Sequence, residues 1–207
     1  FLGTTAVIAS SDGAARTISN LTWWTQGPNI GAGGDLTFSG VTHNNGGANK
    51  LMSVSNSLTR FTGTLYGTGT IAKRGAGELR FENTVAVSAF TNLEGRLTLT
   101  GAGAFTNTTA VLTFNQGSIF DVAGVTGGWY LRQGQTLRGN VGIVGDTLIS
   151  NSFVRPGASA GTITFSNNVT FSNADVEFEL ASDGTPGAGI NDYIETIGNL
   201  TLSGITT

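Results

Sequence analysis

The chain has no cysteine, only three prolines, a single histidine and a single methionine among 207 residues. Charged residues make up 11% of it, less than half the usual share. Each shortage excludes something. Without cysteine there are no disulfides and no Cys/His catalytic pair. With one histidine, His43, a His-rich metal centre is out of reach. No apolar run is long enough to span a membrane. A net charge of −3 disfavours nucleic acid as a partner. Low charge does not mean disorder here, because 39% of the residues are hydrophobic and they alternate along the chain instead of being absent.

What is abundant is glycine, 32 residues, together with threonine and serine. Thr70-Ile71-Ala72 and Glu78-Leu79-Arg80-Phe81 put one face in and one face out with a period of two. Gly67, Gly69, Gly75, Gly77 and Gly95 punctuate these runs, where the backbone can turn through φ > 0 without a Cβ clash. Helical spacing is missing, so no helix follows Gly69 or Gly77, and a dinucleotide or phosphate loop is excluded. Gly77, Gly95 and Gly117 open strands at similar intervals, which gives a coil of about 20 residues. Rungs about 4.8 Å apart predict a rod on the order of 45 Å long.

The residues Gly67, Gly69, Ile71, Lys73, Gly75, Gly77, Leu79, Phe81, Asn83, Gly95 and Leu97 follow in order the pattern Gly-x-Gly-x-Leu-x-Lys-x-Gly-x-Gly-x-Leu-x-Leu, Asn, Gly-x-Leu. In this the stretch 65–99 resembles the autotransporter-associated β-strand repeat of bacterial surface and secreted proteins. It departs from that repeat at Val85 and Val87, where the family has an aromatic and then a glycine, and Glu94 reads as an insertion before Gly95. A second stretch, 155–204, resembles the closing region of such proteins: Arg155-Pro156-Gly157-Ala158-Ser159-Ala160-Gly161-Thr162-Ile163, then Asn168-Val169-Thr170-Phe171, Asn191-Asp192-Tyr193 and Gly198-Asn199-Leu200. The resemblance implies a right-handed parallel β-helix, or a closely related β-solenoid, outside the cell. It brings no catalytic residue. It also makes 1–207 one solenoid segment of a longer chain, a reading that the start at Phe1 and the stop soon after Gly204 favour.

Strands are expected at Thr4 to Ile8, Thr17 to Trp24, Asp35 to Phe38, Leu51 to Leu58, Ala110 to Phe114, Ser118 to Val122, Trp129 to Arg132, Thr136 to Leu137, Thr147 to Ile149 and Asp175 to Leu180. Gly27-Pro28-Asn29 and Asn44-Asn45-Gly46-Gly47 are expected turns, and His43 beside the latter reads as a solvated turn residue. The sequons at Asn20, Asn107, Asn168 and Asn199 are chance matches in an Asn- and Thr-rich chain.

Candidate sites are few. Asp175, Glu177 and Glu179 alternate with Val176, Phe178 and Leu180, so the three acids share one strand face. Neighbouring carboxylates about 7 Å apart fall within glycosidase range. With Asp183 or Asp192 they could hold Ca²⁺, although no calcium-loop spacing is present; the plain alternative is a solvated face opposite a core face. Trp23-Trp24 and Trp129-Tyr130 are adjacent aromatics on strands, so one of each pair should face out, where it could stack on a sugar or anchor a partner. No catalytic residue and no cofactor is expected. Charge is uneven: residues 1–155 hold ten bases and seven acids, net +3, while 156–207 hold six acids and no base, net −6. Together these features suggest an extracellular structural solenoid, the subunit or stalk of a bacterial surface fibre associating head to tail. The alternatives are a passenger-type adhesin for a glycan or a host or matrix partner and, third, a polysaccharide-active enzyme.

Overall fold

The computed structural model describes residues 7–47, 49–157, 159–181, 184–186, 189–204 and 207. They form an all-β solenoid of about 8 turns with no helix. Short alternating runs cannot bury a face alone. Each is hydrogen-bonded in parallel to the equivalent run one turn earlier and one turn later, and three such runs make one turn.

The first face stacks β1 (Val7–Ile8), β4 (Asn29–Ile30), β7 (Lys50–Val54), β10 (Thr70–Arg74) and β13 (Ala89–Asn92). The second stacks β2 (Arg16–Ile18), β5 (Leu36–Phe38), β8 (Leu58–Phe61), β11 (Glu78–Phe81) and β14 (Arg96–Gly101). β16 (Val111–Val125) and β18 (Thr136–Val144) run round the corner between these faces and fuse them into one 16-stranded sheet. Beyond them the first face continues with β20 (Phe153–Pro156) and β23 (Asp175–Val176), and the second with β21 (Thr162–Phe165) and β24 (Tyr193–Thr196). The third face is split. β3 (Thr22–Trp24), β6 (Thr42–Asn44), β9 (Leu65–Tyr66), β12 (Thr84–Ala86) and β15 (Ala104–Phe105) form one ladder; β17 (Trp129–Leu131), β19 (Thr147–Ser150), β22 (Val169–Ser172) and β25 (Leu200–Ser203) form another.

Turn length varies. Leu97 pairs with Leu79 and Thr42 with Thr22, so these turns stay close to the expected coil. Leu200 pairs with Val169, a much longer turn, because the last coil carries a loop after β23. Asn191 and Asp192 staple its base: the Asp192 carboxylate accepts from the Gly161 N–H at 2.8 Å and the Glu179 N–H at 2.7 Å, and Asn191 Oδ1 accepts from the Ala181 N–H at 2.6 Å. With about 8 turns the rod is about 40 Å long, somewhat shorter than a coil of constant length predicts.

Inward side chains stack like on like. Phe38, Phe61 and Phe81 are register partners on the second face, with ring centroids 4.7 Å and then 5.4 Å apart. Phe81 also meets Phe90 and Phe105 from the other two faces at 6.0 and 6.3 Å, so one ring ties all three walls together. At the corners backbone passes close to backbone. Gly139, at φ +107°, lies so near the previous turn that a Cβ would stand 1.9 Å from the Phe114 carbonyl oxygen.

Four expectations need correction. Thr17 to Trp24 is two strands, β2 and β3, with a corner between them, and Leu51 to Leu58 is likewise divided between β7 and β8; polar corner residues preserve the alternation while the chain changes direction. Of Ala110 to Phe114, residues Val111 to Phe114 instead join Ser118 to Val122 in the single strand β16, with a register irregularity between Phe114 and Ser118. Asp175 to Leu180 is not one strand: β23 ends at Val176, and Phe178 and Leu180 are exposed, not core. Of the expected first strand, Val7–Ile8 is β1, while residues 4–6 lie outside the described residues.

Phe81→Ala should destabilise the protein by about 3–5 kcal/mol, the range for truncating a fully buried aromatic. Denaturant unfolding monitored by circular dichroism measures this, and a loss under about 1 kcal/mol would contradict a core shared by three walls.

Candidate functional sites

The first site to consider is a corner. On β10 the alternation that turns Ile71 inward also turns Lys73 inward, between Met52 and Asn92 on the adjacent rungs. Lys73 is 0% exposed. Its Nζ donates to the Gly75 carbonyl at 2.8 Å and the Glu94 carbonyl at 2.7 Å, while the Glu94 carboxylate accepts from the Gly75 N–H at 3.0 Å. Asn92 Nδ2 donates to the Gly95 carbonyl at 3.0 Å. The residue that reads as an insertion, Glu94, therefore closes this corner. Burial pushes the Lys73 ammonium down to about 8, with Glu94 opposing the shift. Lys50, buried at the start of β7, donates to the Gly46 carbonyl at 3.0 Å and is likewise lowered by burial. These lysines satisfy backbone carbonyls where the chain leaves the ladder.

The second site is on the outside of the third face. Because Trp24 points into the core, Trp23 points out, and register places it beside His43 and His43 beside Tyr66. The Trp23 and His43 rings are parallel to within 1°, with centroids 4.1 Å apart. Tyr66 follows at 3.9 Å, tilted by 58°, and its hydroxyl is hydrogen-bonded to His43 Nε2. His43 is thus a half-buried strand residue of β6 held between two rings, not a solvated turn residue. Unequal turn lengths hid this ladder. The step from Trp23 to His43 is shorter than the step from His43 to Tyr66, and the three rings become neighbours only when both registers are known.

The other aromatics separate by alternation. Trp24 packs edge-on to Phe61 at 5.6 Å and Trp129 edge-on to Phe120 at 4.7 Å; both are core residues, which removes them from any ligand surface. Tyr130 faces outward with the Arg132 guanidinium 5.7 Å from its ring centre.

The third site is the C-terminal end. β23, β24 and β25 close the three faces there. Every residue of β25 is exposed, Leu202 by 64%, and Ile197, which follows β24, is 68% exposed. Phe171, Val176, Phe178, Ile194, Leu200 and Leu202 line an apolar recess of about 440 Å³ at this end.

The acidic residues are engaged separately. Glu177 forms an ion pair with Arg155 at 2.7 Å, Asp175 accepts from the Thr207 hydroxyl at 2.6 Å, and the backbone N–H of Glu179 donates to Asp192. Asp183 lies outside the described residues. Among the described residues no group of three or more His, Asp or Glu side chains is arranged to hold a metal ion. A groove of about 630 Å³ on the side of the rod is lined by Gln116, Asn140, Thr162, Thr164 and several glycines, with no titratable side chain among the described residues. Among the described residues no helix is long and apolar enough to cross a membrane.

No family model matches the chain, no curated protein matches it, and no solved structure matches it.

The buried Lys73 makes stability depend on pH in a defined direction. Between about 8 and 10.5 the unfolded chain keeps this proton and the folded chain does not, so stability rises with pH across that window. Unfolding curves of the parent and Lys73→Met from pH 7 to 11 should diverge in slope there, the variant lacking the rise. Parallel curves would place the Lys73 titration at its ordinary value.

Proposed function

We propose that this chain is an extracellular structural β-solenoid, the subunit or stalk of a bacterial cell-surface fibre, and that copies associate head to tail. The observation that carries this reading is the last described rung, where β24 and β25 have no strand on their outer side beside an apolar recess, while the outer side of β23 is taken by Thr207, which accepts from the Val176 N–H at 2.6 Å and donates to the Ala174 carbonyl at 3.1 Å. Such edges pair readily with another strand. β1, β2 and β3 close the described sheets at the other end. A second copy placed there continues the second and third faces, through β24 and β25, in the same parallel sense. The contact is heterologous and does not close on itself, so it propagates into a filament.

The chemistry of this joint is apolar and hydrogen-bonded, not ionic. Although residues 156–207 are acidic, residues 1–49 carry a single base, Arg16, against Asp12 and Asp35, and Arg16 is paired with Asp12. The bases that make 1–155 positive sit further along the rod. The bacterial surface setting draws on the resemblance of 65–99 and 155–204 to the autotransporter-associated repeat. A non-enzymatic role is supported by the neutral lining of the side groove and by carboxylates engaged one by one in local contacts.

A second reading, a passenger-type adhesin, is favoured by the exposed Trp23–His43–Tyr66 ladder, a costly arrangement for a wall that needs only solvated side chains.

Particle length in electron micrographs should increase with protein concentration and survive high salt, because the joint lacks paired charges. Leu202→Asp, which places a carboxylate in the apolar end, should leave single rods with an unchanged circular dichroism spectrum. Single rods of the parent at every concentration would overturn the fibre reading.

A further inference from the structure

The aromatic ladder ends abruptly. Tyr66 is followed in register by Ala86, and the neighbouring outward residue on the same rung, Thr84, is followed by Ala104. Trp23 and Tyr66 are 38% and 37% exposed. One rung past Tyr66, about 5 Å along the axis, the wall therefore drops from an aromatic ring to a methyl group. The two rungs on the side of Tyr66 away from His43 form a shelf of short side chains, Ala86 and then Thr106 in line with Tyr66, with Thr84 and Ala104 in the adjacent row. The ring itself is held in place, since its hydroxyl is tied to His43 and His43 is stacked on Trp23.

We infer that Tyr66 and this shelf form a stacking site for an uncharged pyranose unit of a glycan chain. The inference rests on the adhesin reading and names its ligand class. Three features select that class. A ring face beside a step accepts a flat, rigid group with C–H bonds on its face, and a pyranose has that shape. The outward neighbours on this face, Val41, Thr84, Ala86 and Ala104, carry no charge, so a charged sugar finds no counter-ion beside the shelf. Thr84 supplies a hydroxyl at the shelf edge for a sugar hydroxyl. A folded protein partner needs about 800 Å² on each side, which a shelf spanning about 10 Å of rod does not provide.

Pre-formation is what the ladder contributes. An isolated exposed tyrosine must lose rotamer freedom on binding, whereas this one is already fixed. Trp23 and His43 are therefore positioning residues for Tyr66, and the sugar touches Tyr66 and the shelf.

The test is a fluorescence and calorimetric titration of the unassembled protein with neutral hexasaccharides of glucose, mannose and N-acetylglucosamine. At least one should bind. Tyr66→Ala should weaken that binding at least tenfold with no loss of circular dichroism signal, and Tyr66→Phe, which keeps the ring and loses the hydroxyl tie to His43, should bind more weakly than the parent and more tightly than Tyr66→Ala. Ala86→Phe, which extends the ladder and covers the free ring face while keeping Tyr66, should also abolish binding. Failure of all three sugars to bind, or binding unchanged in Tyr66→Ala or Ala86→Phe, overturns the inference. If a sugar binds but is indifferent to these changes, the adhesin reading survives and only this site falls; if no sugar binds while cell-surface extracts do, the ligand class falls.

Discussion

Everything in this molecule depends on the parallel rung-to-rung ladder. Hydrogen bonding at about 4.8 Å fixes each residue above its counterpart one turn away, and a shift by one residue would exchange inside for outside along the whole strand. Inside, the constraint stacks Phe38, Phe61 and Phe81. Outside, it sets Arg60 directly against Arg80, an unfavourable pair that neighbouring acids relieve: Arg60 meets Glu82 at 3.1 Å and Arg80 meets Glu78 at 2.8 Å. These pairs are partly exposed and each contributes about 0–1 kcal/mol. Their main effect is to let like charges lie in register at all.

The ladder fails at corners, where backbone groups leave their partners, and there the core becomes polar. Lys73 meets two carbonyls, Asn56 donates to the Leu58 carbonyl and accepts from the Thr59 hydroxyl, and Gln135 donates to the carbonyls of Phe105 and Asn107. An unsatisfied buried carbonyl costs about 1–3 kcal/mol, so each of these side chains has a defined purpose that an apolar residue of similar size could not fill. The corner beside β3 and β6 is less complete. Among the described residues, Trp24 Nε1 and both amide atoms of Asn44 are buried there without a partner.

The solenoid was legible because two signals agreed: strict period-two alternation, and glycines at the points where strands open. Gly77 and Gly95 do mark successive turns of the same corner. The alternation also implied that one residue in each aromatic pair faces out, and it identified neither which one nor its neighbours. That information lies in turn lengths, which differ widely between the pair Leu79–Leu97 and the pair Val169–Leu200, and no local pattern encodes them. His43 shows the limit. Its own neighbours, Asn44 to Gly47, form a turn signal, yet Trp23 one turn before it and Tyr66 one turn after it decide its environment. Asp175 to Leu180 failed for the opposite reason. The alternation is present, but after Val176 the chain enters the loop that Asn191 and Asp192 close, and Phe178 and Leu180 are exposed there.

A wall built this way separates its functions by position. The interior is filled by stacked side chains and cannot host a ligand, so recognition is confined to outward rows and to the two ends. Contacts in a solenoid run mainly between adjacent turns, and the Trp23–His43–Tyr66 ladder lies several turns from β25. A change in the ladder therefore has no packed route to the C-terminal end, and occupancy of one leaves the other free. The proposed assembly and the proposed recognition therefore do not compete for the same surface. In the proposed fibre the end would supply the axial repeat and the ladder would place one stacking surface on every repeat, so that weak single contacts would multiply along its length.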